Sequence, residues 1–254
     1  MTMGALYWQL NDIWPGASWT SLEYGGKWKM SHYYAVNFFS PTLISPVLQG
    51  DFINIHVVCD EMNSKEHVLH IRVYKWNGFA PSYSVDLELG QVCSVEGSSV
   101  VASVPLRELL ENGDCRSGSL DAYRLSYCMF VFELVEPEGG FISENYIMES
   151  PRGLVGVEGD FSSGIQKPTV WISLVYIDNQ EVHDEPYKES YTIQVNTDNI
   201  ALYIWIEAIG IQGRFSQNGF HMVSPQKYIT FYAKEYTDLE ILKQSLQVRA
   251  YNPF

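Results

Sequence analysis

Apolar and polar positions change period once along this chain, close to Pro41. Before it, residues 5–10 read as one strand that ends in Asn11 and Asp12, followed by a loop bearing Trp14, Trp19 and Glu23. Trp28, His32, Ala35 and Phe39 then fall at steps of four, three and four, one face of a 3.6-residue period, which predicts a helix over residues 27–39. Gly25 and Gly26 precede it and Pro41 stops it. Beyond Pro41 the period is two, and residues 52–59, 68–76, 100–104 and 125–135 read as strands separated by Gly, Asn, Asp or Ser clusters. The pattern breaks at PEGGF, residues 137–141, and a Gly-, Ser-, Glu- and Pro-containing stretch over 143–167 reads as a domain junction. Strands resume at 169–177, 189–195, 200–207, 219–223, 229–232 and 245–251, a count that suits an immunoglobulin-like sandwich. Asn218-Gly219 is the sharpest turn signal there. Residues 105–111 and 239–244 read as short helical turns.

Composition is that of a globular protein, with 46% apolar and 18% charged residues, seven Trp and seventeen Tyr. No apolar run approaches the ~20 residues of a membrane helix, so no membrane partner is expected. A formal charge of -14 disfavours nucleic acid, because phosphate neutralisation needs clustered Lys and Arg. That field leaves a neutral sugar unaffected, and it weakens as pH falls toward carboxylate pKa values.

Cys59, Cys93, Cys115 and Cys128 are spaced by 34, 22 and 13 positions, without a CxxC pair or zinc-ribbon spacing. Buried free thiols are the expectation, with disulfides the alternative if the protein is lumenal; no signal peptide or glycosylation sequon is present. His67 and His70 lie three apart in a strand-like stretch, on opposite faces, so a metal pair is not expected. No G-x-S-x-G elbow or phosphate loop occurs, and neither cofactor nor metal is expected.

The run YWQLNDIWPGASWTSLEYGGKWKMSHYYAVNFF resembles the last barrel strand, loop and helix of the β-mannosidases of glycoside hydrolase family 2. TDNIALYIWIEAIGIQGRFSQNGFHMV, residues 197–223, is similar to their terminal immunoglobulin-like domain, and FISENY, MESP and GLVG resemble the sandwich domain between. The resemblance implies a mainly β chain: two immunoglobulin-like β-sandwich domains preceded by the last strand-loop-helix unit of a (β/α)8 barrel. The implied domains are residues 1–40, the eighth βα unit; 41–145, a mannosidase sandwich; 146–167, a linker; and 168–254, the C-terminal sandwich. One strand and one helix cannot bury their own apolar faces, so the chain reads as the tail of a larger enzyme whose N-terminal barrel and sandwich domains are its missing partners.

That enzyme would hydrolyse terminal non-reducing β-D-mannose residues with retention, from a β-mannosyl oligosaccharide, in the lysosome if the source is an animal. Its two catalytic carboxyl groups are implied on the fourth and seventh barrel strands, so this chain has no catalytic residue and is predicted inactive alone. By the resemblance Trp8 forms the floor under the sugar, with a cis peptide bond after it. Asn11 either holds a sugar hydroxyl or closes the turn, and Asp12 either caps the loop or contacts a hydroxyl. Trp14 and Trp19 either pack under the loop or line outer subsites, and Trp14 is counted with Trp8, Asn11 and Asp12 as a substrate-binding candidate. Glu23 favours the helix approach. GRFSQNGFHMV, residues 213–223, reads as structural, the alternative being a hairpin that docks on the barrel and positions its loops. The other reading of the whole chain is a non-catalytic sugar- or partner-binding sandwich module.

Overall fold

The computed structural model describes residues 4, 6–116, 123–149, 166–178 and 186–251. Half of MESP and all of GLVG lie outside them. The chain forms two compact units, one of residues 1–36 with 168–251, the other of residues 37–167 with 252–254.

The second unit is a β-sandwich. Strands β1 (Thr42–Gln49), β2 (Phe52–Cys59) and β5 (Gly97–Pro105) form one sheet in the order β1-β2-β5. Strands β3 (His67–Lys75), β4 (Tyr83–Gly90), β6 (Cys128–Val135) and β7 (Phe141–Ile147) form the other, ordered β4-β3-β6-β7. Every pairing is antiparallel. Alternation places Ile53, Ile55 and Val57 of β2 in the core with Leu69, Ile71 and Val73 of β3 and Phe130, Phe132 and Leu134 of β6. The β1–β2 turn is the two-residue Gly50-Asp51, and Gly50 has φ +59°, a conformation that glycine adopts without steric cost. Helix α1 (Met30–Phe38) belongs mainly to the first unit, and helix α2 (Leu106–Asn112) follows β5.

Three strands here were not anticipated. Strand β1 carries Pro46, which cannot donate to a ladder and is tolerated because β1 is an edge strand. Strand β4 is also an edge, though Tyr83, Val85, Leu87 and Leu89 alternate onto the core. The PEGGF break is the turn between β6 and β7, so residues 143–147 extend a strand instead of opening a junction. FISENY earns its place by joining the sheets: Ile44 N–H donates to Ser143 Oγ at 3.1 Å, and Asn145 Nδ2 donates to the Ile44 carbonyl at 3.1 Å.

The free-thiol expectation is overturned. Cys59 pairs with Cys93 and Cys115 with Cys128, with all four buried. Cys59 ends β2 while Cys93 follows β4, so the first bridge ties one sheet to the other. Spacing alone does not reveal a pair brought together by sheet stacking.

In the first unit, β11 (Gly213–Phe215), β13 (Gln226–Ala233), β9 (Glu189–Thr197) and β8 (Val170–Asp178) form one antiparallel sheet in that order. Strands β12 (Phe220–Met222), β10 (Ala201–Ala208) and β14 (Leu246–Arg249) form the second. Helix α3 (Leu239–Ser245) is capped by Asp238, whose carboxylate accepts from Glu240 and Ile241 N–H. Strands β11 and β12 lie in different sheets, so Ser216–Gly219 is a crossover, not the hairpin read from Asn218-Gly219.

At a bulge in β10, Tyr203 has φ +50°, and its N–H donates to His221 Nδ1 at 3.0 Å. The Tyr203 ring meets the imidazole edge-on at 4.6 Å. Burial, with the Lys227 cation adding, pushes His221 down to about 3. A folded pKa below the unfolded one gives stability that is complete above about pH 6.5 and is lost as pH falls from there toward 3.

Two outcomes are expected. Unfolding free energy should fall by at most ~1.4 kcal/mol per pH unit from His221 alone between pH 6.5 and 4, and His221→Gln should flatten that segment in urea titrations. Reducing the disulfides should lower the stability of the 37–167 unit by ~3–4 kcal/mol per bridge in the chain-entropy account, read as a drop in its denaturation midpoint relative to the oxidised protein.

Candidate functional site

Residues 6–10 form no strand; an isolated parallel bridge joins Asn11 to Leu22 just beyond them. A strand needs a regular ladder of partners, and this segment has instead a few bonds onto the Gln9 and Leu10 carbonyls from Ser21 and Leu22. Residues 27–29 are not helical either. Trp28 pairs antiparallel with Leu22, Lys29 N–H donates to Ser21 O at 2.9 Å and Glu23 N–H to Lys27 O at 2.8 Å. Those bonds hold the chain extended, and α1 begins only at Met30.

The loop is tied from inside by small hydroxyl residues. Ser21 is buried; its N–H reaches the Gln9 and Leu10 carbonyls at 3.0 and 3.2 Å, and its hydroxyl donates to Leu10 O at 3.0 Å. His32 Nδ1 and the Tyr7 hydroxyl lie 3.0 and 3.1 Å from Ser21 Oγ. Desolvation lowers the His32 pKa, so the ring is neutral near pH 7.

The Asp12 carboxylate accepts from the Ser18 hydroxyl and from Lys29 Nζ at 3.2 Å, and Lys29 also donates to Thr20 Oγ1 at 2.7 Å. The Ser18 hydrogen bond, with Thr20 and Lys29 adding, holds the Asp12 carboxyl below its ordinary value against the cost of desolvation. These contacts close the turn that carries Trp14. Asn11 is exposed and donates to the Asp12 carbonyl at 3.3 Å.

The aromatic side chains face outward. Trp8 is 80% exposed, Trp14 67% and Trp19 86%, so neither loop Trp packs beneath the loop; the Trp14 indole lies against Gly16. Leu6, Leu10, Ile13 and Tyr24 are exposed beside them. The Trp8–Gln9 peptide bond is cis. Trp8, Asn11 and Trp14 are thus displayed on one short loop, while Asp12 is turned into its support.

That loop is seated on the terminal sandwich. Tyr33 of α1 is 6% exposed and belongs to the sandwich core; its hydroxyl accepts from Phe215 N–H at 3.2 Å and its ring meets Trp205 edge-on at 5.9 Å. Tyr34 donates to Gly219 O at 2.9 Å. Asn218 spans the crossover beneath, accepting from Ile206 N–H at 2.9 Å and donating to Ile206 O at 2.8 Å. Arg214 lies over the rings of Trp28, Tyr187 and Tyr232, at 5.3, 5.1 and 4.5 Å from their centroids. Lys27 and Glu207 pair at 2.9 Å beside a cleft of about 430 Å³ lined by Tyr24, Trp28, Trp205 and Lys234. Phe39, assigned to the buried helix face, is exposed and lies just past the end of α1, whose buried residues are Tyr33 and Ala35.

With this geometry in place, the likenesses are informative. The goat (Capra hircus) β-mannosidase is 33% identical over 249 residues, 97% of this chain and 25% of that protein. The Rattus norvegicus β-mannosidase is 31% identical, with the same coverage. The chain is homologous to the C-terminal part of β-mannosidases. It spans about a quarter of the length of these relatives. The family model for a mannosidase Ig-fold domain matches residues 168–253. Among solved structures, the β-D-mannosidase from Dictyoglomus thermophilum superposes with a TM-score of 0.64 at 19% identity, over 96% of this chain and 26% of that one. The Amycolatopsis orientalis exo-chitosanase CsxA gives 0.59 at 14%, over 96% and 29%. These likenesses show a shared fold, mainly β over the length of this chain.

Ser18, Thr20, Ser21, Lys29 and Glu207 were not singled out from sequence. The signal available was the alternation of small hydroxyl residues around Trp19 in ASWTS.

Gly219 has φ +70°, and a Cβ there would stand 2.7 Å from Met30 Cγ. Gly219→Ala is expected to cost ~1–3 kcal/mol and to loosen α1 from the sandwich, seen as a lower melting temperature and increased Trp28 solvent quenching.

Proposed function

We propose that this chain is the region of a β-mannosidase-type retaining glycosidase that completes the sugar-binding rim, and that residues 1–40 are the eighth βα unit of its barrel. The observation that carries the reading is the display of Trp8 and Trp14 from a loop held rigid beneath, in a chain homologous over 97% of its length to β-mannosidases. An exposed indole offers a flat apolar face to the C–H face of a pyranose, and a preordered loop loses little entropy when it does so. Trp8 is assigned the sugar floor, Asn11 a hydroxyl contact and Trp14 an outer contact. Asp12 serves the site by holding the Trp14 turn.

Retaining hydrolysis needs an acid and a nucleophile about 5–5.5 Å apart. In the segment that bears the indoles the acids are Asp12, committed to Ser18 and Lys29, and Glu23, exposed at the turn before Trp28. On the likeness to β-mannosidases, we assign the catalytic pair to parts of the enzyme outside this segment and take the substrate to be a terminal β-D-mannoside. Two disulfides agree with a lumenal compartment, and the animal relatives support the lysosome.

The purified 254-residue chain is expected to leave 4-nitrophenyl β-D-mannoside unhydrolysed while binding mannose oligosaccharides weakly through Trp8 and Trp14. Turnover abolished by Trp8→Ala would overturn the assignment of the catalytic pair elsewhere. Calorimetric binding unchanged in a Trp8→Ala, Trp14→Ala variant would overturn the rim assignment and place sugar recognition in the sandwiches.

A further inference from the structure

The terminal sandwich and the aromatic loop meet through three consecutive residues, each engaged differently. Lys27 pairs with Glu207 on β10. Trp28 lies under the Arg214 guanidinium from β11 and against the Tyr33 ring, at 5.3 and 5.1 Å. Lys29 turns to the loop, its N–H on Ser21 O and its ammonium on Asp12 and Thr20. Ser21 in turn bonds the carbonyls of Gln9 and Leu10, the residues directly after Trp8. Asp12 and Ser18 bracket the turn bearing Trp14.

We infer that residues 27–29 are a strut through which the terminal sandwich sets the position of Trp8 and Trp14, with Arg214 and Glu207 as positioning residues. Its consequence for sugar binding rests on the proposed function; the mechanical coupling does not. The two anchors differ in strength. The Lys27–Glu207 pair is solvent-exposed and contributes little by itself. Arg214 sits among three rings, Trp28, Tyr187 and Tyr232, where a cation over aromatic faces is held from several sides. The coupling is therefore dominated by Arg214, with Glu207 refining it. This gives GRFSQNGF a definite role: Arg214 grips the strut, Phe215 N–H binds Tyr33, Asn218 fastens the crossover and Gly219 admits Met30.

Hydrogen exchange on the full chain without sugar tests it. Asp12, Ser21 and Leu22 amides, all hydrogen-bonded in the loop, report on the loop, and Ile193 and Ile229 amides on the sandwich strands. In Arg214→Met and Lys29→Met the loop amides should exchange at least fivefold faster while the strand amides keep their rates. Arg214→Lys, which retains the cation, should recover much of the protection. Glu207→Gln should raise loop exchange about twofold, and Lys27→Met should raise it by a similar factor. Loop amides that retain wild-type rates in both Arg214→Met and Lys29→Met, or that accelerate by the same factor as the strand amides, would overturn the strut. An unchanged Glu207→Gln would remove Glu207 from it. Failure to bind mannosides leaves this result untouched, and failure of the exchange pattern leaves the sugar reading standing.

Discussion

Everything in the N-terminal segment depends on the insertion of one aromatic side chain, Tyr33, into the core of a sandwich formed some 135 residues later in the chain. Burying a side chain of that size contributes ~1.5–3 kcal/mol, more than the exposed Lys27–Glu207 pair at ~0–1 kcal/mol. Its hydroxyl is not stranded, since it accepts from Phe215 N–H. Desolvation accordingly raises the Tyr33 pKa and keeps the phenol neutral. With Tyr33 in place, Trp28 lies under Arg214, Tyr34 meets Gly219 and the short helix has a surface against which to order. A nine-residue helix is marginal by itself, so tertiary packing decides whether it forms.

The loop above that anchor combines a polar interior with an apolar exterior. Ser18, Thr20, Ser21, Lys29 and Asp12 satisfy one another beneath, while Trp8, Trp14, Trp19, Leu6 and Ile13 face outward. This inverts the usual distribution, in which the large apolar groups are the ones removed from water. Such an inversion is stable because the hydroxyls and the ion pair supply partners for one another and for the Thr20 amide, which donates to Ser18 Oγ at 3.2 Å, while the amides of residues 12 and 21 donate to backbone carbonyls of the loop. The cost of displaying indoles is offset locally by a partly buried polar network centred on Thr20 and Ser21.

The two sandwiches solve the same problem of joining sheets in different ways. The unit of residues 37–167 uses the Cys59–Cys93 disulfide and the Ser143 and Asn145 bonds to Ile44. The terminal unit uses a chain crossover, with Asn218 imitating a strand residue against Ile206 and Gly219 passing close beneath Met30. The second device also makes the seat for α1, so the sequence string that closes the sandwich is the one that receives the aromatic segment.

Period-two alternation exposed β2, β3 and β5 and most strands of the terminal sandwich, because a half-buried strand records its two environments directly in its residues, and the short helical turns read over 105–111 and 239–244 correspond to α2 and α3. The indoles of the loop and the cis bond after Trp8 were legible through a resemblance carried by YWQLND. What remained invisible depends on residues distant in the chain. No spacing rule joins Cys59 to Cys93 or Tyr33 to Phe215, and an apolar pattern over residues 6–10 cannot reveal that the segment is held by bonds from Ser21 and Leu22 in place of a strand ladder. Local pattern encodes which face of an element prefers water; which partner covers the other face is a property of the packed chain, and the place of the aromatic loop was decided there.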